Sequence, residues 1–314
     1  MKEKDAKHTG RLVQTGIYLG KLLRMFIYQN DWKVLPMGAF IAAVVTFVVG
    51  QNMFVTQEGT FNGAFSLTCV CIWNGFFNSI QVICRERDIL KREHRAGLHI
   101  TSYVASHMLY QLLLCMAQTV VTMVICNMVG VNFPTRGIIT PFGEVDMAIS
   151  ILLIIYAADM LALMLSALVR NTTMAMTVMP FMLIFQLVFS GAFFELQGIA
   201  QKLTGFTVSR WGMESICAIG RYNEQPMVTL WNTIFRFKDV EYMGTKPILT
   251  LLAKVETEGR VDEFLKWSGE NSRIAAYASD PNAMLLKWAA LLGLILFAVT
   301  VAVISLEFID RDKR

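Results

Sequence analysis

Charge is what this sequence has least of. Only 17% of its 314 residues are charged against 55% hydrophobic, and the mean hydropathy is +0.49. A soluble globular chain carries nearer a quarter charged residues, so an ordinary soluble enzyme is excluded. The net charge of +4 is too modest to suggest nucleic acid as a partner. Metal and disulfide patterns are missing too. Cys69, Cys71, Cys84, Cys115, Cys126 and Cys217 form no CxxC pair and have no His at metal spacing. Five of them fall in apolar blocks and read as small buried hydrophobes. The four histidines, His8, His94, His99 and His107, join no carboxylate cluster that could catalyse a reaction. No GxxxxGK[ST] phosphate loop occurs, so these residues are not expected to hydrolyse a nucleotide. The opening MKEKDAKHTGR lacks the apolar core of a signal peptide.

What the chain does have is long apolar blocks: Val34–Phe54, Phe65–Cys84, Ile100–Val129, Met147–Val169, Met174–Phe194 and Ala283–Ile304. About 20 residues rising 1.5 Å each cross the roughly 30 Å hydrocarbon core. Backbone groups in lipid must be satisfied within the segment, so each block should be a helix. The predicted fold is all-α and integral to the membrane, with six transmembrane helices; the long third one tilts or projects. In residues 11–33, Arg11, Gln14, Lys21 and Arg24 share one helical face and Leu12, Leu19, Leu23 and Phe26 the other. That pattern, with Trp32 as anchor, predicts an interfacial elbow helix with its basic face toward headgroups. The expected domains are residues 1–33 (N-terminus and elbow), 34–309 (membrane domain, including an external segment 195–282) and 310–314 (tail).

Orientation follows from Lys and Arg. The first 33 residues hold seven, residues 85–99 five and the tail after Leu306 three, whereas loops 55–64 and 130–146 hold none and one. Both termini and the 85–99 loop should be cytoplasmic. Segment 195–282, with ten basic and eleven acidic residues, should be external. Its start, LQGIAQKLTGF, is apolar enough to lie on the membrane surface. Pro247–Trp267 reads as one helix with Leu251, Leu252, Val255 and Phe264 apolar.

Polar residues within the spans form stripes. Asn74, Asn78 and Gln81 share a face of the second helix; His107, Gln111, Cys115, Gln118 and Thr122 share a face of the third. Amides in lipid need partners, so these faces should meet protein or a wet cavity. Interhelical hydrogen bonding is the plain reading. Asp159 lies mid-helix, where an ionised carboxylate costs about 2.5–3.5 kcal/mol. It should be paired, protonated or facing water, with hydrogen bonding favoured over proton coupling. Beside it, Ala158, Ala162 and Ser166 permit close helix packing. Lys287 should snorkel outward with Trp288. Asn171-Thr172-Thr173 matches a glycosylation pattern but falls on the cytoplasmic side.

The 85–99 loop, RERDILKREHRAGLH, suits a short protruding helix. Charge alone makes it a positive-inside loop. Glu86 and Glu93, seven apart on one face with Ile89 and Leu90 beside them, also fit a docking element.

Glu86 and Glu93, followed by Tyr103 at the start of the third helix, resemble the corresponding loop in the permease domains of ATP-binding-cassette transporters. The resemblance is to the type-two permease family, in particular its G-subfamily (White) branch. LMLSALVRNTTMAMTVMPFMLIFQLVFSGAFFEL (163–196), with Ser166, Pro180, Gln186 and Phe189-Ser190-Gly191, is similar to that family's fourth and fifth helices. SRWGMESI (209–216) resembles the segment that follows. The likeness covers nearly the whole chain. It departs where Cys217 stands alone in the external segment, so animal-type disulfides cannot form within one chain. It departs again where His107 replaces a basic residue frequent in bacterial relatives.

The resemblance implies a dimeric permease in a bacterial plasma membrane, pairing with an identical or paralogous permease. Separate ATPase subunits would hold ATP and Mg, and this chain would itself be no enzyme. Arg85, Glu86, Arg87, Ile89, Leu90, Arg92 and Glu93 would couple to the ATPase. Asn74, Asn78, Leu183, Ile184 and Leu187 would border the substrate path, with Phe189, Ala192 and Phe193 near its outer closure. Asp159, Gln111 and Gln118 are the further intramembrane polar candidates, and no metal site is expected. The alternative class is a stand-alone channel or a membrane-embedded enzyme.

Overall fold

The computed structural model describes residues 10–28, 34–192, 198–241 and 244–308. Among them regular structure is helical, apart from an isolated bridge between Arg136 and Phe142. The helices are α1 (Arg11–Tyr28), α2 (Val34–Val49), α3 (Gln57–Ser79), α4 (Val82–Arg95), α5 (Ile100–Val129), α6 (Gly143–Leu168) and α7 (Thr172–Val188). Then follow α8 (Ile199–Leu203), α9 (Val208–Ile219), α10 (Thr229–Arg236), α11 (Pro247–Thr257), α12 (Val261–Asn271) and α13 (Pro281–Glu307).

Four stretches are long and apolar enough to cross a bilayer: Gln57–Arg95, Ile100–Val129, Gly143–Leu168 and Pro281–Glu307. The first and fifth expected spans are shorter apolar helices, Leu35–Val49 and Thr172–Val188. The second expected span begins at Gln57 rather than Phe65, because Thr56 caps it, accepting from Gly59 N at 3.1 Å. The fourth begins at Gly143 rather than Met147. There the buried Asp146 carboxylate accepts from the backbone N–H groups of Ile138, Ile139 and Thr140 at 2.6–3.0 Å, folding the preceding loop onto the helix.

α6 forms the centre of the bundle, packing on α3, α5, α9 and α13. It is apolar on most of its surface, as a largely enclosed helix must be, with Asp146, Ser150, Asp159 and Ser166 as buried polar positions. Its closest neighbour is α3, where Gly75 meets the α6 backbone. A Cβ at Gly75 would lie 2.4 Å from Ile155 O, so no larger residue fits without separating the helices.

Several expectations are corrected. The predicted external segment sends α9 back into the bundle, where Val208, Met213, Ile216, Cys217 and Ile219 are buried against α3, α6 and α13. Pro247–Trp267 is two helices, broken at Gly259, whose φ of 65° is left-handed. Lys287 does not snorkel: it is 4% exposed, lies near Glu214 and Cys217, and its Nζ has no hydrogen-bond partner among the described residues. Trp288 instead donates to Ser150 Oγ at 2.9 Å. In α1, Gln14 does not face headgroups. Its amide donates to Gly97 O at 3.2 Å and accepts from His99 N at 3.1 Å, tying α1 to the α4–α5 link. Trp32 lies outside the described residues.

Candidate functional site

The chain breaks helix at Ile80 and Gln81, between α3 and α4, and α6 fills the break. The first N–H groups of a helix have no intrahelical acceptor. Here Ser166 Oγ accepts from Ile83 N at 3.0 Å and Cys84 N at 3.1 Å. The tie is reciprocal, since the last carbonyls of α6 also need donors. Arg87 reaches back from α4 and donates to Ala167 O at 2.8 Å and Val169 O at 2.9 Å. A cation at a helix C-terminus is favourable as well. Leu90, 1% exposed, completes the inward face with Ile83.

This arrangement sorts the residues expected to couple to an ATPase. Arg87 and Leu90 are spent inside the chain. Arg85, Ile89 and Arg92 lie exposed, joined by Asp88 and Arg95. Glu86 and Glu93 are half-buried on the flank near Tyr103. Glu93 Oε2 has no hydrogen-bond partner among the described residues.

The pathway residues are also divided. Asn74 is buried beside Gly38 of α2. Asn78 exchanges two hydrogen bonds with Gln118 of α5, at 2.9 and 3.0 Å. The amide face of α3 therefore turns into the chain's own helix bundle. Its outward face carries Trp73 and Phe77, 44% and 45% exposed, with ring centroids 5.8 Å apart. Sequence reasoning passed over them, because α3 carries other aromatics, Phe61, Phe65 and Phe76, and the spacing of Trp73 and Phe77 repeats that of Phe61 and Phe65. On α7, Ile184 and Leu187 are exposed and Leu183 is half-buried, as are Phe189 and Ala192 just beyond the helix. Phe193 lies outside the described residues.

α5 brings the polar stripes together. His107, Gln111, Cys115, Gln118 and Thr122 are all buried. Cys115 Sγ donates to Asp159 Oδ2 at 3.3 Å, and Oδ1 has no partner among the described residues. Asp159 is fully buried. One turn earlier, Tyr156 Oη donates to Met108 O at 3.3 Å.

Gln186 performs for α9 what Ser166 does for α4. Its Oε1 accepts from Val208 N at 2.9 Å and Ser209 N at 3.2 Å, while Ser209 Oγ donates to Gln186 O. Thr207 Oγ1 adds a bond to Phe189 O at 3.2 Å. The hydrogen bonds give physical content to the Gln186, Phe-Ser-Gly and Ser209 positions.

All-helical, with apolar spans of membrane length, the chain has the architecture of a membrane permease. It belongs to the ABC-2 type transporter family, whose profile matches residues 22–219. It is similar to the ABC transporter ATP-binding/permease protein Rv1747 of Mycobacterium tuberculosis (strain ATCC 25618 / H37Rv). The two are 27% identical over 151 residues, covering 47% of this chain and 17% of that protein. The chain thus corresponds to under one fifth of the relative's length, and the relative's name combines an ATP-binding and a permease part.

Proposed function

We propose that this chain is the membrane-spanning subunit of an ATP-driven exporter, paired with an identical or paralogous permease and docking a separate ATPase subunit on α4. The observation that carries the reading is the mounting of α4. It continues α3 after a two-residue break and is fastened to the end of α6 by Ser166 and Arg87. A displacement of α4 would therefore move α3 and the α6–α7 turn together, which suits a lever between an ATPase and a translocation path. ATP and Mg belong on the partner, because these 314 residues contain no phosphate loop. The Lys and Arg distribution supports six spans, with α4 and both termini on the cytoplasmic side of a bacterial plasma membrane.

The outward surface of α4 narrows the docking residues to Arg85, Asp88, Ile89, Arg92 and Arg95, with Glu86 and Glu93 on the flank. Ile89 is the apolar centre of this charged face, the position where truncation costs most in an interface. The test is affinity purification of the full chain from its native membranes, followed by measurement of bound ATPase activity. The parent should retain an ATPase, and Ile89→Asp should lose it about tenfold or more while the chain still inserts. An ATPase that binds the variant as well as the parent sinks the docking assignment. Labelling from outside, in intact cells, of a cysteine placed at Arg92 sinks the orientation.

A further inference from the structure

A cavity of about 310 Å³ lies between α1, the α3–α4 junction, residues 107–114 of α5 and the start of α7. That volume is at the lower end of the roughly 300–1,000 Å³ of small-ligand sites, room for a polar headgroup but not for a whole lipid. Among its lining residues are His107 and Gln111, one turn apart on α5 and each 1% exposed. Neither ring nitrogen of His107, nor Oε1 of Gln111, has a hydrogen-bond partner among the described residues. Buried polar atoms are almost always paired, so this group of three marks a place built to be completed by something else.

The chemistry of the floor limits what that is. A neutral imidazole offers one donor and one acceptor, and the amide oxygen adds a second acceptor. The complement needs at least two N–H or O–H donors and one acceptor. The charged lining residues are Arg85 and Glu86, adjacent and opposite in sign, so the site favours no net charge. Leu22 and Met25 of α1 and Met176 of α7 supply apolar wall, and half-exposed Phe77 leads from the cavity to the outer surface of α3. A water-soluble solute would gain nothing from that apolar margin, whereas an amphiphile would lay its chains along it.

We propose that this cavity binds the headgroup of a net-neutral membrane amphiphile that carries N–H or O–H donors. His107 and Gln111 engage the headgroup, and the α1 side of the cavity receives its chains. The proposal rests on membrane embedding, which family membership supplies, and not on the docking of an ATPase.

Phosphatidylethanolamine and phosphatidylcholine are both zwitterionic and differ in the ammonium N–H donors that only the former has. The full chain, stripped of lipid in detergent, is offered these two and monoglucosyl diacylglycerol, all with the same acyl chains. Bound copies are counted by native mass spectrometry. Phosphatidylethanolamine or the glucosyl lipid should be retained about tenfold over phosphatidylcholine, the factor for a polar site left unmatched; which of the two binds identifies the source of the donors. Equal retention of all three overturns the proposal and leaves the cavity a hydrated pocket. His107→Phe keeps the ring and removes both nitrogens, and it should bring the preference down to about one. If that variant does not assemble, Gln111→Met tests the same floor and should lower the preference several-fold. A preference that survives in an assembled variant also overturns it. No ATPase enters the experiment, so either result leaves the docking reading standing or falling on its own test.

Discussion

The two ends of α3 hold their neighbours in different ways. Where α3 meets α4, the contacts are Ser166 and Arg87, both buried between helices and both bonded to backbone groups. At its other end α3 holds the outer segment through its first turn. Gln57 donates to Gly269 O at 3.1 Å and accepts from Ser272 Oγ at 2.7 Å, and Glu58 Oε1 accepts from Thr229 N at 2.6 Å. Beyond those anchors α10, α11 and α12 are mostly exposed and packed chiefly on one another, with Trp231, Phe264 and Trp267 as their aromatic seam. The family match ends at Ile219, the last residue of α9. The tightly tied end of α3 thus belongs to the shared unit, whereas α10–α12 lie beyond it. Shared hydrogen-bond demand between helix termini makes one end stiff; exposed helices hung on a few polar contacts make the other compliant.

If that contrast is right, the largest effect comes from the stiff end. Arg87→Met removes the side-chain donor of Val169 O and leaves Ala167 O with only the 3.3 Å bond from Ser305 Oγ. Charge-assisted bonds of this kind contribute about 1.5–3 kcal/mol each, so the melting temperature in detergent should fall by several degrees. Both bonds leave the single Nη1, so Arg87→Lys, whose ammonium also carries its donors on one nitrogen but on a shorter stem, should recover part of the loss. No recovery with Lys would mean that the reach or the planar guanidinium, and not a charged donor alone, holds α4 in place.

How far the sequence told these ends apart is a matter of helical phase. The charge-rich 85–99 run announces α4, and apolar length announces α5, α6 and α13. Yet Arg87 looks like its neighbours Arg85 and Arg92 in a count of charges. Only the spacing Ile83–Arg87–Leu90, which puts the Arg on an apolar stripe, separates an internal fastener from surface charges. Asn74 and Asn78 show the same limit: an amide stripe says that partners exist but not whether they are substrate or the next helix. SRWGMESI within α9 was legible by its resemblance, but the return of α9 into the bundle was not, because its 12 residues cannot span a bilayer and carry Arg210 and Glu214. These two pair with each other at 2.8 Å, which lets the helix enter the bundle with its charges answered. Gly212, set against Ile154 of α6, was the remaining sequence sign of close packing.

The compliant end should respond less. Gln57→Ala removes one donor and one acceptor at the root of the outer segment, a loss of about 1–3 kcal/mol to local closure with little change in the melting of the bundle. The readout is limited proteolysis near Gly259, the turn between α11 and α12, where cleavage should accelerate about tenfold. Unchanged cleavage would place the hold on the aromatic contacts of Phe61, Tyr222 and Tyr277 instead.

Arg260→Ala should do least of all. Arg260 bridges Glu263 at 2.7 Å and Glu258 at 3.5 Å, and by distance alone it resembles the buried ties of Arg87. Solvent reaches all three side chains, 62% for Arg260, 68% for Glu263 and 42% for Glu258. Water and salt therefore screen the attraction, and two long side chains must be ordered to keep it. Neither the melting temperature nor cleavage near Gly259 should move outside error, at low or high salt. A clear loss at low salt that vanished at high salt would show the turn to be held by its charges. The difference between the two ends of α3 would then be one of dielectric and not of hydrogen-bond demand.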